Sequence, residues 1–255
     1  MTEQKKEPLK TLILAAGKGS RMGSDLPKVL HQIGGRPILD YVVRLAREVG
    51  TEEVVVIVGH RGDLVREAFS GRGLVFMEQR ELLGTGHAVL QARDAFEGYR
   101  GDVLILCGDV PFLPLETVRR FRHEHGASGA AVSVLTARME EPRGYGRIVR
   151  DGAGVPKRIV EERDATDEEK NIREINAGIY LAKASFLFAA VHQIADDNTQ
   201  KEYYLTDIVE LANREGLVVH ACVAEDSRSV MGINTPGELK EAEEYRLILE
   251  GRGRY

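Results

Sequence analysis

The sequence predicts an α/β fold, doubly wound around a mixed, mainly parallel sheet. Short β-branched runs alternate with helix-period segments through the first half of the chain. These runs are almost uninterruptedly apolar, as strands covered on both faces must be. After residue 140 the texture changes to a turn-rich stretch of alternating polarity, which brings antiparallel pairing into the sheet. The first strand is "TLILAA" at 11–16. In "PILDYVVRLAREVG", Ile38, Leu39, Val42, Val43, Ala46 and Val49 form one helical stripe, with Pro37 at its start and Gly50 at its end, and "EVVVIVG" at 53–59 completes a βαβ crossover. Further strands are expected at 74–79, 102–109 and 130–137. "GYGRIVRDGAGVPKRIVEERD" reads as a hairpin turning at its DGAG, and strands at 174–182 and 217–225 alternate with helices near 184–195 and 204–215. The last helix opens on "TPGE", where Thr235 caps, Pro236 fills the first turn and Glu238 closes a capping box.

Apolar residues make up 43% and charged residues 29%, a globular balance with no low-complexity block. The net charge of -5, without a basic stripe, argues against a nucleic-acid partner. The longest apolar run, at 186–191, is far shorter than the roughly 20 residues of a membrane-spanning helix, so no membrane partner is expected. Cys107 and Cys222 lie in apolar strand-like segments without disulfide or zinc spacing, which suits a reducing cytoplasm. The expected organisation is a flexible tail over 1–8, one domain over 9–235 with two halves meeting at about 112–113, and a C-terminal helix and tail over 236–255.

The chemistry centres on "LILAAGKGSRMGSDLPKVL" at 12–30. A strand, a glycine-rich turn and a helical start present free backbone N–H groups to an anion. A P-loop would need its second glycine where Met22 stands. The dinucleotide fingerprint would need its third glycine there too, but the glycine is Gly23. Lys18, Arg21 and Lys28 around one loop suit a group more anionic than a diphosphate bridge.

The stretch resembles the L-x-A-G-x-G-[ST]-R-M-x(4)-P-K signature of sugar-nucleotide pyrophosphorylases. "LLGTGHA" at 82–88, "GDVPF" at 108–112, "GYGRIV" at 144–149, "IVEERDAT" at 159–166, "EINAGIY" at 174–180, "EYYLTDI" at 202–208 and "GINTP" at 232–236 follow in order. Together they are similar to the uridylyltransferase domain of the bacterial bifunctional N-acetylglucosamine-1-phosphate uridylyltransferases. The resemblance implies a Rossmann-like fold of the nucleotide-diphospho-sugar transferase type, a nucleotide-binding half over about 9–112 and a sugar-binding half over about 113–235, UTP and a sugar 1-phosphate as substrates, and Mg²⁺ as cofactor. It implies that Leu14, Ala15, Ala16, Gly17 and Lys18 wrap the nucleotide, that Arg21 neutralises the leaving pyrophosphate and that Lys28 holds phosphate oxygens. Gln79, Gly84 and Thr85 would hold the uracil, while Gly108, Gly146, Glu161, Asn176, Tyr204 and Thr206 would hold the sugar phosphate. Asp109 and Asn234 would be the metal ligands.

Cys107 stands where the family usually has a tyrosine. The family's left-handed β-helix, which carries an acetyltransferase and drives trimer formation, has no counterpart up to Tyr255, so no acetyl transfer is expected, and the oligomeric state stays open, with a monomer compatible. Either an isolated domain or a free-standing relative fits. Other activities remain open as well: a pyrophosphorylase for another sugar phosphate or nucleotide, a cytidylyltransferase of the same fold, or a catalytically silent nucleotide-sugar binding module. His123 and His125, two apart on one helix, are expected on a solvated surface, as is "DATDEEKN" at 164–171, and His87 in the first turn of a helix rather than in the chemistry.

Overall fold

A computed structural model describes residues 7–251 and 253; most of the tail expected over 1–8 and part of the one after the last helix lie outside the described residues. The chain runs through β1 (Leu9–Ala15), a small hairpin of β2 (Gln32–Ile33) and β3 (Arg36–Pro37), α1 (Ile38–Glu48), β4 (Val54–Val58), α2 (Gly62–Ala68), β5 (Val75–Glu78), α3 (Thr85–Leu90) and β6 (Asp102–Cys107). It continues through α4 (Leu115–Ser128), β7 (Val132–Arg138), the hairpin β8 (Arg147–Arg150) and β9 (Pro156–Val160), α5 (Asp167–Lys170) and β10 (Glu174–Lys183). The remaining elements are α6 (Ala184–Val191), α7 (Asp207–Arg214), β11 (Val219–Val223) and α8 (Pro236–Gly251).

Nine strands share one sheet, in the order β11-β7-β10-β6-β1-β4-β5, with β8 and β9 attached beside β10. Strand β1 pairs in parallel with β4 and β6, β4 with β5, and β7 with β11. Antiparallel β10 joins β6 to β7, so the sheet is mixed and mainly parallel along its main path, as the sequence predicts. Alternate residues of each strand feed opposite faces. Ile13, Val54, Val56 and Leu104 pack under α1, α2 and α4, whereas Leu12, Val55, Ile57 and Ile105 pack under α3, α6 and α7. Each Val, Leu or Ile so buried contributes roughly 1.5–3 kcal/mol. Helix α8 is pinned separately, through Ala242 and Leu249 against Ile33, Ile38, Tyr41, Phe112 and Ile233.

The chain leaves β1 for β4 and β5 on one side and returns to β6 on the other. That reversal opens a crevice beyond the carboxyl ends of β1 and β6, where open α/β sheets bind ligands. The predicted hairpin is present, its turn held by Asp151 Oδ1, which accepts from the Ala153 and Val155 N–H groups. The segment at 164–171 carries a capping box between Thr166 and Glu169 on a short exposed helix. No helix among the described residues is long and apolar enough to cross a membrane.

One expectation is overturned. His125 is buried, not solvated: it continues the Val118–Phe121 stripe of α4 toward the sheet, and its Nδ1 lies 2.7 Å from Ser133 Oγ, with Asp102 Oδ1 3.6 Å from Nε2. His123 is exposed as expected. His125→Ala should therefore lower the unfolding free energy by about 2–4 kcal/mol, through a cavity and an unpaired buried hydroxyl, whereas His123→Ala should stay within about 0.5 kcal/mol. Urea denaturation of both variants checks this, and equal shifts would contradict it.

Candidate active site

The turn after β1 brings the end of that strand against the end of β6. The Gly108 N–H donates to Leu14 O at 2.9 Å, and a Cβ on Gly108 would stand 3.0 Å from the same oxygen and 3.1 Å from Ala15 Cβ. Beyond Gly17 the chain makes a left-handed step at Gly19 (φ 62°), where a Cβ would lie 2.8 Å from Lys28 Cβ. Glycine is needed there to let the loop fold back on Lys28.

The Lys28 ammonium reaches two residues that the sequence treats separately. It forms an ion pair with Asp109 Oδ2 and donates at 2.8 Å to Asn234 Oδ1. Asp109 follows β6 at the crevice. Asn234 is carried to it by Ile233, whose N–H donates to Asp109 O at 3.0 Å. The predicted capping box then fixes Asn234: Glu238 Oε2 accepts from the N–H groups of Asn234 (2.6 Å) and Thr235 (3.1 Å), and Thr235 Oγ1 accepts from Glu238 N–H at 3.2 Å. Gly232 lies so close that a Cβ would come within 3.2 Å of Asp109 Oδ2. A carboxylate and an amide oxygen already converging on one cation form a hard donor set that fits a divalent ion. No cluster of three or more His, Cys, Asp or Glu residues that could hold a metal exists among the described residues, so such an ion would complete its shell from phosphates and water. Lys18 and Arg21 are exposed on the loop, and the structure does not join them to this trio.

The expected sugar residues form a second group. A Cβ on Gly146 would lie 3.2 Å from Glu161 Oε1, and Gly146 O accepts from Asn176 N–H at 2.9 Å. Asn176 sits at a bulge of β10, its Nδ2 donating to Tyr180 Oη at 2.8 Å and its Oδ1 accepting from Gly178 N–H at 2.9 Å. Burial pushes the Glu161 carboxyl up to about 7, the charges of Asp164 and Asp207 adding to the effect and Arg147 opposing it. Thr206 also opposes it from beside the carboxyl, though its buried hydroxyl lies outside hydrogen-bond geometry. Asp207 is likewise raised to about 6, by burial and then by Glu210 and Asp164. A cavity of about 460 Å³ opens beside Glu161, lined also by Asp164, Tyr204 and Asp207, but not by Lys28 or Asn234. Tyr204 Oη accepts from Gln200 Nε2 at 2.8 Å.

Gln79, Gly84 and Thr85 form the third group. Gln79 is 3% exposed, with Nε2 3.0 Å from Gly84 O and 3.0 Å from His87 Nδ1. The Thr85 hydroxyl accepts from Leu205 N–H at 3.0 Å. Gly84 has a structural reason to be glycine: its φ is 108°, and a Cβ would stand 2.6 Å from Tyr203 O. The turn is stitched to that segment by Tyr203 N–H to Leu83 O (2.8 Å) and Gly86 N–H to Tyr203 O (2.7 Å).

Contacts join the three groups. A Cβ on Gly59, at the end of β4, would be 2.5 Å from Ala16 O and 3.0 Å from Leu82. Cys107 Sγ donates to Gly178 O at 3.2 Å, which ties β6 to the bulge beside Asn176. Burial and then the Asp109 charge push this thiol up to about 12, so it stays protonated at neutral pH. Residue-by-residue reading missed Gly19, Gly59, Gly232 and Arg147. The last is a buried cation that donates to Glu162 at 2.6 Å and to Tyr145 O, holding the loop that ends at Gly146. A glycine ending the β-branched run "VVVIVG" was the available signal for Gly59.

Similarity to known proteins extends over most of the chain. The MobA-like NTP transferase domain matches residues 11–201. The bifunctional protein GlmU of Geobacter metallireducens is 54% identical over 235 residues, 92% of this chain and 49% of that protein. The bifunctional protein GlmU of Geobacter sulfurreducens is 50% identical over a stretch of the same length, again 92% and 49%. The chain spans about half the length of these relatives. Among solved structures, a UDP-glucose pyrophosphorylase complexed with UDP-glucose superposes with a TM-score of 0.75 at 17% identity, covering 94% of this chain and 98% of that one, a likeness of fold.

The tight backbone approach at Gly84 yields a direct test. Gly84→Ala places a methyl against the Tyr203 carbonyl at a φ that disfavours side chains, so amide exchange at Gly86 and Tyr203 should speed up while the β1–β6 strands stay protected. Unchanged exchange at Tyr203 would mean that the stitch does not hold the turn.

Proposed function

The chain belongs to the MobA-like NTP transferase family, and from that premise we propose that it is a uridylyltransferase, joining UTP to N-acetylglucosamine 1-phosphate to form UDP-N-acetylglucosamine and pyrophosphate. The observation that carries transfer over mere binding is the meeting of Lys28, Asp109 and Asn234 at the crevice. A module that only holds a finished nucleotide sugar has no use for so much charge control at the strand ends. The motif resemblance supports uridine and an acetamido sugar.

In this reading an oxygen of the sugar phosphate, already anionic, attacks the α-phosphorus of UTP. The bond to the oxygen bridging the β-phosphate breaks, and its electron pair leaves with pyrophosphate. No general base is required, and the barrier is dominated by bringing anions together. Leu14–Lys18 wrap the nucleotide with backbone donors, Arg21 offsets charge on the departing pyrophosphate, and Lys28 holds phosphate oxygens through the displacement. Asp109 and Asn234 would hold magnesium, which supplies Lewis acidity and positive charge to the phosphates. Gln79 and the Gly84–Thr85 turn take the base. Gly108, Gly146, Glu161 and Asn176 take the sugar phosphate, with Tyr204 and Thr206 behind Glu161.

Pyrophosphate release measured across four nucleoside triphosphates and several sugar 1-phosphates should be fastest with UTP and N-acetylglucosamine 1-phosphate. Equal efficiency with CTP or glucose 1-phosphate would refute that pairing. Asp109→Asn keeps the size but removes the charge, so turnover should fall by roughly 10²–10³-fold, and Asn234→Ala should do less because water replaces a neutral ligand. Near-normal turnover of Asp109→Asn at low magnesium would rule out the metal pair. Glu161 accepts hydroxyl hydrogen bonds best as a carboxylate, and its raised value puts that form above about pH 7. The KM for the sugar phosphate should therefore rise as pH falls from 8 to 6 (about a unit either side). The phosphate titrates nearby too, so the contrast with Glu161→Gln decides: identical profiles would remove Glu161 from sugar binding.

A further inference from the structure

The hydrogen bonds around Gln79 settle which way its amide faces. Its nitrogen end lies 3.0 Å from the Gly84 carbonyl, which only accepts, so that end must be the NH₂. The second hydrogen of that group points to His87 Nδ1, also at 3.0 Å, so Nδ1 is an acceptor and the ring carries its proton on Nε2. The Gln91 amide, whose Nε2 is placed 3.1 Å from His87 Nε2, meets that proton with its oxygen once its two ends are exchanged. That arrangement gives up only a 3.5 Å contact from the Gln91 amide to His87 O. The ring is held in place by helix α3 and lies beside Tyr203, with centroids 6.4 Å apart.

Both hydrogens of the Gln79 amide are thus committed, and Oε1 is the atom left over. Among the described residues nothing donates to it, and it is absent from the buried atoms that lack partners, so the small part of Gln79 that solvent reaches includes this oxygen. Gln79 stands at the crevice edge of the sheet, its N–H donating to Val58 O at 2.8 Å, one residue before the Gly59 that abuts Ala16.

We propose that His87 is a positioning residue for base selection, which rests on the uridylyltransferase reading above. By accepting the second hydrogen of Gln79 Nε2, it joins the Gly84 carbonyl in holding the amide so that Oε1 is offered to the nucleotide base. That oxygen pairs with the N3–H of uracil and opposes the unprotonated N3 of cytosine. Without His87, and with the Gly84 carbonyl as its only remaining anchor, the amide turns end over end more readily, presents either atom and discriminates less between the two pyrimidines.

The test compares kcat/KM for UTP and for CTP in the native chain, in His87→Phe, which fills the space without an acceptor, and in His87→Asn, whose amide oxygen can take the place of Nδ1. The UTP preference should fall roughly five- to tenfold in His87→Phe, the scale of one neutral hydrogen bond, and stay within about twofold of native in His87→Asn. A preference unchanged in His87→Phe, or lowered equally in both variants, overturns the inference alone. A native chain that uses CTP as well as UTP overturns the inference together with the reading it rests on. Should His87→Phe fail to fold, long-range ¹H–¹⁵N spectra of the native chain at mildly alkaline pH decide instead: the Nε2–H tautomer of His87 is required, and the Nδ1–H tautomer excludes the proposal.

Discussion

The contact on which the site depends is the Lys28 ammonium between Asp109 and Asn234. Its side chain and that of Asp109 are only 14% and 19% exposed, so both charges are largely withdrawn from water and neither is tolerable without the other. Three distant segments meet through that one cation: the loop after β1, the end of β6 and the cap of α8. The surrounding backbone is built to permit the meeting. Gly19 lets the loop close on Lys28, Gly232 leaves room beside the Asp109 carboxylate, and the Thr235–Glu238 box fixes the amide. An exposed ion pair would be worth little. This one marks a place where positive charge is stabilised by design of the fold, which is also what a triphosphate and its counter-ion need.

The other two groups are tied to this one by backbone rather than by charge. Gly84 and Gly86 press against Tyr203, so the turn expected to hold the base shares its support with the segment that carries Tyr204 and Thr206. Cys107 plays a related part on the opposite side of β6. Its thiol fills the space left by Gly178 and caps that residue's carbonyl, and a protonated sulfur held by burial serves there as a small packing group.

Much of the fold was legible because its strands are apolar runs too dense for any other use, and because its caps are spelled out locally. The stripe of α1, the DGAG hairpin and the TPGE box each follow from spacing within a single segment. Two kinds of feature were not legible. His125 was misread because it was judged against His123, two residues away. The informative comparison was with Val118 and Phe121, seven and four residues back, which put it on the buried stripe of α4. The bridge from Lys28 to Asp109 and Asn234 could not be read at all. The motifs name each residue separately, and the first and last of them are 206 positions apart in the chain. Gly84 was legible as a glycine that something must approach, but not as one approached by Tyr203.

The place of β10 bears on how this chain emerges from the ribosome. β6 and β7 do not touch each other in the sheet; β10, made some seventy residues after β6, slots between them in the opposite direction. A nascent chain shorter than about residue 183 can assemble β5-β4-β1-β6, but it leaves the apolar edge "VLILC" of β6 without a neighbour. That edge is a ready template for another nascent chain, and the interval before β10 arrives is the period of greatest aggregation risk. The strand that carries Asn176 toward the crevice is thus also the strand that closes the sheet, so the side of the crevice proposed for the sugar and the protection of the fold are completed in one step of synthesis.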